Sequence, residues 1–320
     1  MKKQTFVKDS HISRYLMMIN DGWRNKFFKD ALEKHAKDKI VLDMGSGTGI
    51  LSFYALAAGA KFVYCVDMSP KSCLITEKVL SKHFDSRRFK VLNCNFWTDE
   101  IDNQIDQKID ILVTETIGPG LFDQGMFHTW HTVKPFLSDQ AISIPDRLHF
   151  DAWIWDNVDI CSNSDLIKPV GDPLYCDEVL NDDFARCLAQ VDRELTMPFD
   201  DMNWVIGNNI NPPPSKIYQD VLTYTMDKLP NLSFSDQKFP RHIIPEISFE
   251  IDIDKPGTIG IIHKMSFENE TLFLKDARYM PWKYIPMFFI NSTGKYTFTY
   301  NNPDLQCLFY NEWLQELKTS

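Results

Sequence analysis

The chain has 320 residues, 44% of them hydrophobic and 24% charged, with 34 Lys+Arg against 44 Asp+Glu and a net charge of −10. This composition excludes disordered and collagen-like chains, and the length exceeds one ordinary domain of roughly 100–200 residues, so two domains are expected. The acidic balance argues against a bulk grip on nucleic acid; it would suit a cationic substrate, although a solubilising acidic surface is the plainer reading.

At the N-terminus Lys2 and Lys3 have no apolar run behind them, so no secretory leader is expected. No stretch approaches the run of about 18 apolar residues that a membrane span needs, and no membrane partner is expected. Tyr15 to His35, rich in aromatics and Lys, reads as one or two helices. Lys39 to Met44 is a short apolar run closed by glycines, and Ile50 to Ala60 reads as a helix that Gly59 ends. Phe62–Asp67, Phe89–Cys94 and Ile109–Glu115 follow as buried strands. Continuous Val/Ile/Leu runs separated by helices predict a parallel sheet covered on both faces, a Rossmann-like α/β domain.

After Ile144-Pro145-Asp146-Arg147 the texture changes. Leu148–Trp155 and Ile247–Ile253 alternate apolar with polar residues, the pattern of half-exposed antiparallel strands. Asp177–Val191 is helix-like, and Asn208–Pro214 is an irregular connector. The expected organisation is therefore residues 1–145 as the Rossmann-like domain and 146–320 as a β-rich domain carrying a helical insertion. Trp153 and Trp155 share one strand face and read as core. The seven cysteines are scattered and form no Cys-x-x-Cys pair, which favours a reduced, cytoplasmic setting over a disulfide framework. His128 and His131 stand three apart on a helix without acid or thiol neighbours, so they read as ordinary helix residues and no metal is expected.

Asp43-Met44-Gly45-Ser46-Gly47-Thr48-Gly49 is the most informative stretch. Glycines at alternate positions, after a strand and before a helix, let the backbone approach a ligand at the carboxyl edge of the sheet. A dinucleotide fingerprint would place its third glycine at position 50, which is Ile50. Asp43 would oppose a pyrophosphate, whereas it suits S-adenosylmethionine (SAM), which carries an ammonium and a sulfonium and no phosphate. Asp67, ending the second strand, is positioned to accept ribose hydroxyls.

With its flanks, this core resembles the protein arginine N-methyltransferases, over about residues 15–155. Met18-Ile19-Asn20-Asp21-Gly22-Trp23-Arg24 is similar to the family's Met-Leu-x-Asp-x-x-Arg segment. The resemblance implies that Arg24 grips the SAM carboxylate and that Met18 lies over the cofactor. It also implies cofactor contacts for Gly45, Gly47, Gly49, Asp67 and the adjacent Met68. Asn95 and Phe96 stand where methyltransferases contact adenine, and Phe96 or Trp97 either stacks on the base or packs in the core. Val113 to Phe122 aligns with the loop that opens on the family's first catalytic glutamate, here Glu115, which borders the cofactor as well as the substrate. Ile144-Pro145-Asp146-Arg147 matches the junction into the family's β-barrel, whose helical dimerisation arm would fall at about residues 175–225. A homodimer is implied.

Two departures mark the acceptor side. Arginine stays protonated and is a poor nucleophile; the family holds it between two glutamates. The second falls at Gln124, which accepts a hydrogen bond and adds no charge. In the second domain, where the family has a Thr-His-Trp loop, Met280-Pro281-Trp282 stands instead. Trp282 is either a wall of the acceptor pocket or barrel core. Three outcomes are compatible: a guanidino acceptor (peptidyl, free or a metabolite), a less cationic nitrogen nucleophile, or SAM binding with little activity.

Overall fold

A computed structural model describes residues 18–19, 22–95, 101, 104–116, 126–159, 167–169, 208–210, 213–228, 231–235, 242–273, 287–300 and 318–319. They fall into two units. The first draws on Met1–Glu115 and Pro135–Ile144; the second draws on Thr116–Lys134, Pro145–Pro173 and Val205–Ser320.

In the first unit, α1 (Gly22–His35) precedes β1 (Ile40–Met44), α2 (Ile50–Ala57), β2 (Phe62–Asp67), α3 (Pro70–His83), β3 (Phe89–Asn93) and β4 (Ile109–Thr114). Helix α2 is largely apolar and buried from Ile50 to Leu56, as a helix pressed against a sheet must be, with Ser52 as its buried polar exception. Helix α3 starts where Ser69 accepts a hydrogen bond from Ser72 N and Pro70 supplies the first helical residue. It ends with Lys82 and His83 beside its exposed carbonyls. The five-stranded sheet has the order β3-β2-β1-β4-β5, with β5 being Leu137–Ile144 and every pair parallel. Chain order reverses at β1, which pairs with β2 on one side and β4 on the other. The crevice outside the carboxyl ends of β1 and β4 is thus a topological switch point, where sheets of this kind bind ligands.

The second unit contains α4 (Met126–Val133) and antiparallel strands beginning with β6 (Arg147–Asp156). Strands β7 (Ile167–Pro169) and β8 (Asn208–Ile210) pair with each other, and β9 (Lys216–Thr225) pairs with β6. Then come β10 (Asn231–Ser235), β11 (His242–Ile253), β12 (Gly257–Phe267), β13 (Glu270–Phe273), β14 (Met287–Ile290), β15 (Gly294–Tyr300) and β16 (Lys318–Thr319). Apart from the β7–β8 pair, two sheets result, β13-β12-β6-β9 with β14 also on β12, and β10-β11-β15-β16. The expected β-barrel-like second domain is this pair of antiparallel sheets. Among the described residues, no helix is long and apolar enough to cross a membrane.

Three expectations need correction. The helical insertion does not run to 225: Asn208–Ile210 and Lys216–Thr225 are strands, the latter rich in β-branched and aromatic residues that fit a pleated surface. Asp177–Val191 lies outside the described residues. The boundary near 145 is also too simple, because Thr116–Lys134 groups with the second unit. Finally, β6 is not half-exposed, since every residue from Leu148 to Trp155 is buried. Its polar positions His149 and Asp151 meet charged groups of neighbouring strands. Lys264 Nζ lies 2.8 Å from both Asp151 Oδ1 and Asp220 Oδ1, and His149 Nδ1 lies 3.3 Å from that same Asp220 oxygen. Trp153 and Trp155 are buried on one face, with ring centroids 6.1 Å apart.

Candidate active site

The glycine loop leaves β1 in a conformation that side chains resist. Gly45, Gly47 and Gly49 all have positive φ, of 79°, 57° and 85°. At Gly49 space is also lacking, since a Cβ there would stand 2.8 Å from Thr76 Cγ2. Thr76 is held in place by donating its hydroxyl to the Gly47 carbonyl at 3.1 Å.

Asp67 ties this loop to the next one. Its Oδ2 accepts from Gly47 N and its Oδ1 from Ser69 N, both at 2.8 Å. Cys94 N and the Asn93 amide, at the end of β3, donate to the Asp67 carbonyl at 3.1 Å each. Half-buried Met68 follows Asp67, and half-buried Asn95 follows the end of β3. Three strand ends are thereby locked around one acid. Burial pushes the Asp67 pKa up, and the two amide donors pull it back.

Asp43 is fully buried at the end of β1. Its Oδ2 accepts from Ser52 N at 2.9 Å and Ser52 Oγ at 2.6 Å, while its Oδ1 has no protein partner. Ser46 Oγ, in the glycine loop, is likewise buried without a partner. Such atoms are costly unless a ligand meets them. Burial raises the Asp43 pKa to about 7 against the hydrogen bonds from Ser52, with Asp67 adding repulsion and Arg24 adding attraction.

At the neighbouring strand, Thr114 donates its hydroxyl to the Met44 carbonyl at 2.8 Å, joining the ends of β4 and β1. Glu115 follows it, buried, and its Oε2 accepts from Arg24 Nη2 at 2.8 Å. Arg24 is set by its own helix. Its Nη1 donates to Asn25 Oδ1 at 3.1 Å, Asn25 in turn donates to the Ile19 carbonyl at 2.6 Å, and the guanidinium sits 5.5 Å above the Phe28 ring. Burial raises the Glu115 pKa and Arg24 opposes the rise. Met18 is half-buried in a helical stretch ahead of α1.

The structure thus brings together Arg24, Asp43, the three glycines, Asp67 and Glu115. Gln124, Phe96 and Trp282 lie outside the described residues. Reading the chain in sequence missed Ser52, Thr76, Ser69 and Asn25, whose work is to hold the site residues; a Ser, Thr or Asn facing a helix or turn carries no signal of its own. Electrostatically, Asp43, Asp67 and Glu115 are three buried acids around one buried cation, Arg24. All three have raised pKa values, so the site favours a ligand carrying positive charge and disfavours a pyrophosphate. Bare Asp43 Oδ1, bare Ser46 Oγ and the side-chain-free glycine loop also fit a ligand with a cationic donor and polar groups. SAM has both.

Comparison with known proteins agrees with this geometry. Residues 29–121 match the ribosomal protein L11 methyltransferase (PrmA) family. The chain is 34% identical over 122 residues to protein arginine N-methyltransferase 9 of Homo sapiens, covering 36% of this chain and 14% of that protein. It is 32% identical over 170 residues to protein arginine N-methyltransferase 1 of Chlamydomonas reinhardtii, covering 48% of each. The chain therefore spans about half or less of the curated relatives it matches. Among solved structures, PRMT6-SAH is similar with a TM-score of 0.59 at 16% identity, over 96% of this chain and 100% of that one. The Trypanosoma brucei PRMT1 enzyme-prozyme heterotetrameric complex with AdoHcy is similar with a TM-score of 0.54 at 18% identity, over 91% and 87%. At these identities the likeness to solved structures is one of fold.

Proposed function

Taking the chain as protein arginine N-methyltransferase-like in sequence and as a class I methyltransferase with a β-barrel-like second domain in fold, we propose that it transfers a methyl group from SAM to a guanidino nitrogen of arginine. The observation that carries this reading is the buried Arg24–Glu115 pair beside an acid-flanked glycine loop.

SAM supplies an electrophilic methyl on a sulfonium, and an ammonium and a carboxylate at its other end. Arg24 meets the carboxylate with its planar fork, Asp43 faces the ammonium, and Asp67 takes the ribose hydroxyls. Asp67 has acceptor capacity left, because each carboxylate oxygen has two lone pairs and each receives one backbone donor. Glu115 accepts an N–H of the substrate guanidinium and orients that nitrogen for in-line displacement. SAM would supply the methyl and be left as the neutral thioether S-adenosylhomocysteine, while the guanidino nitrogen would give up one proton to water; the buried Glu115 carboxylate stabilises the positive charge on the guanidinium. A mass-spectrometric screen with SAM against free arginine, guanidino metabolites, arginine-rich peptides and non-guanidino amines tests the reading. A methylated guanidino product is expected, and its identity defines the acceptor. Transfer to the non-guanidino amines alone would overturn the arginine assignment.

Gln124 favours a second reading, a SAM-binding scaffold with little catalysis, since one acceptor carboxylate is missing from the sequence. Tight SAM binding with no methylated product in the same screen would support it. We also read the chain as a homodimer, and light scattering at micromolar concentration checks this: a monomeric mass would contradict it.

A further inference from the structure

Ser52 is the third residue of α2 and is fully buried. Its backbone N–H and its hydroxyl both donate to one atom, Asp43 Oδ2, at 2.9 and 2.6 Å. Two donors on one oxygen remove the equivalence of the carboxylate's two ends, because both donors converge on one oxygen position and leave the other without a partner. Oδ2 becomes the anchored oxygen, and Oδ1, bare of protein partners, becomes the working one.

We propose that Ser52 is a positioning residue for cofactor binding, its hydroxyl holding Asp43 ionised with Oδ1 open to the ammonium of SAM. This rests on the SAM reading above. Asp43 is fully buried, so neighbouring donors must steady its charge. Burial drives its pKa to about 7, with Ser52 and Arg24 as the groups opposing the rise and Asp67 assisting it. At neutral pH the carboxyl is balanced between two forms, and the protonated form has no charge with which to attract a cation. Loss of one of the donors therefore tips the balance where it matters for binding.

The test is calorimetric titration with S-adenosylhomocysteine, which keeps the ammonium and lacks the sulfonium, from about pH 6 to about pH 8.5. Ser52→Ala is expected to bind about fivefold more weakly at pH 7 and about tenfold more weakly at pH 6, converging on the parent chain near pH 8.5, as a rise of about one pKa unit at Asp43 requires. Ser52→Cys keeps the volume and offers only a weak donor, so it is expected to follow the alanine variant while unfolding like the parent. Ser52→Thr restores a hydroxyl and is expected to move the pH profile back. A loss of affinity equal at every pH, or no loss, would overturn the positioning role. Failure of the parent chain to bind would instead overturn the SAM reading. Carbon-13 titration of the Asp43 carboxyl in the ligand-free chain separates the two failures, because an Asp43 pKa unmoved by Ser52→Ala refutes the Ser52 role whatever binds.

Discussion

Arg24 and Glu115, 91 positions apart, meet at 2.8 Å with both side chains buried, so the site closes one cation on one acid. The pair joins the residue proposed to grip the cofactor to the residue proposed to grip the substrate. Each carboxylate that arrives at Arg24 competes with Glu115, and each guanidinium that arrives at Glu115 competes with Arg24. Filling the two half-sites together keeps both charges compensated, whereas filling one alone leaves the other partner strained for charge.

Glu115→Gln is therefore expected to separate binding from chemistry. Glutamine keeps a hydrogen-bond acceptor for Arg24 and loses the charge that orients a guanidinium. Turnover should fall by more than about a hundredfold while cofactor affinity is kept or rises, because the competitor for Arg24 is weakened. Glu115→Ala should also cost about 3–5 kcal/mol of stability, because it breaks the buried ion pair with Arg24. Single-turnover kinetics and denaturant titration check the two parts; parent-like turnover in the glutamine variant would remove Glu115 from the mechanism.

Gln124→Glu supplies the carboxylate that the arginine methyltransferase pattern places there. If the acceptor is a guanidinium, the substitution should raise kcat/KM by about tenfold or more, the worth of one further charge-assisted bond. A decrease with the parent acceptor would mean that the site is adapted to a less cationic group.

Gly49→Ala combines a left-handed backbone at φ 85° with a Cβ 2.8 Å from Thr76 Cγ2. Left-handed backbone alone costs an alanine about 1–2 kcal/mol, and displacing Thr76 also breaks its bond to the Gly47 carbonyl. Thermal unfolding should show a loss of about 2 kcal/mol or more with weakened cofactor binding. Unchanged stability would mean that the loop has a second conformation open to side chains.

The second unit is expected to be acid-sensitive through His149. Burial lowers its pKa, with Asp220 pulling it up and Lys264 and Arg147 pushing it down, and its Nε2 is buried without a partner. A proton there would place a charged N–H where no acceptor waits. Because the folded-state pKa lies below the unfolded value of about 6.5, the unfolded chain takes up the proton first. Stability is then full above that value and falls as the pH drops through it. Denaturant titrations at about pH 8 and about pH 5.5 should show a smaller loss on acidification for His149→Gln than for the parent, and equal losses would exclude His149 as a cause.

Much of the first unit is legible along the chain. The β1, β2 and β4 strands are continuous apolar runs because a parallel sheet is covered on both faces, and the glycine loop declares itself because only glycine accepts its backbone. Arg24, Asp43, Asp67 and Glu115 stand out as polar residues at the ends of elements. The second unit is less legible. His149 and Asp151 read as the wet face of a strand, yet both are buried, with Asp151 paired to Lys264 of β12 and His149 Nδ1 facing Asp220 of β9. Period-two alternation records polarity and does not say whether water or an opposite charge answers it.

What the sequence by itself determined is the type of sheet, the position of its ligand-binding edge and the acids along that edge, because all three depend on local pattern and backbone freedom. What only the tertiary structure decided is which atoms of those residues are spent and which are left. Asp67 Oδ2 is held by Gly47 N, Asp43 Oδ2 by Ser52, and Glu115 by Arg24, while Asp43 Oδ1 stays bare. Hydrogen-bond partners are chosen by distances of about 3 Å between segments far apart in the chain, and that choice comes into being only when the strand ends are brought side by side.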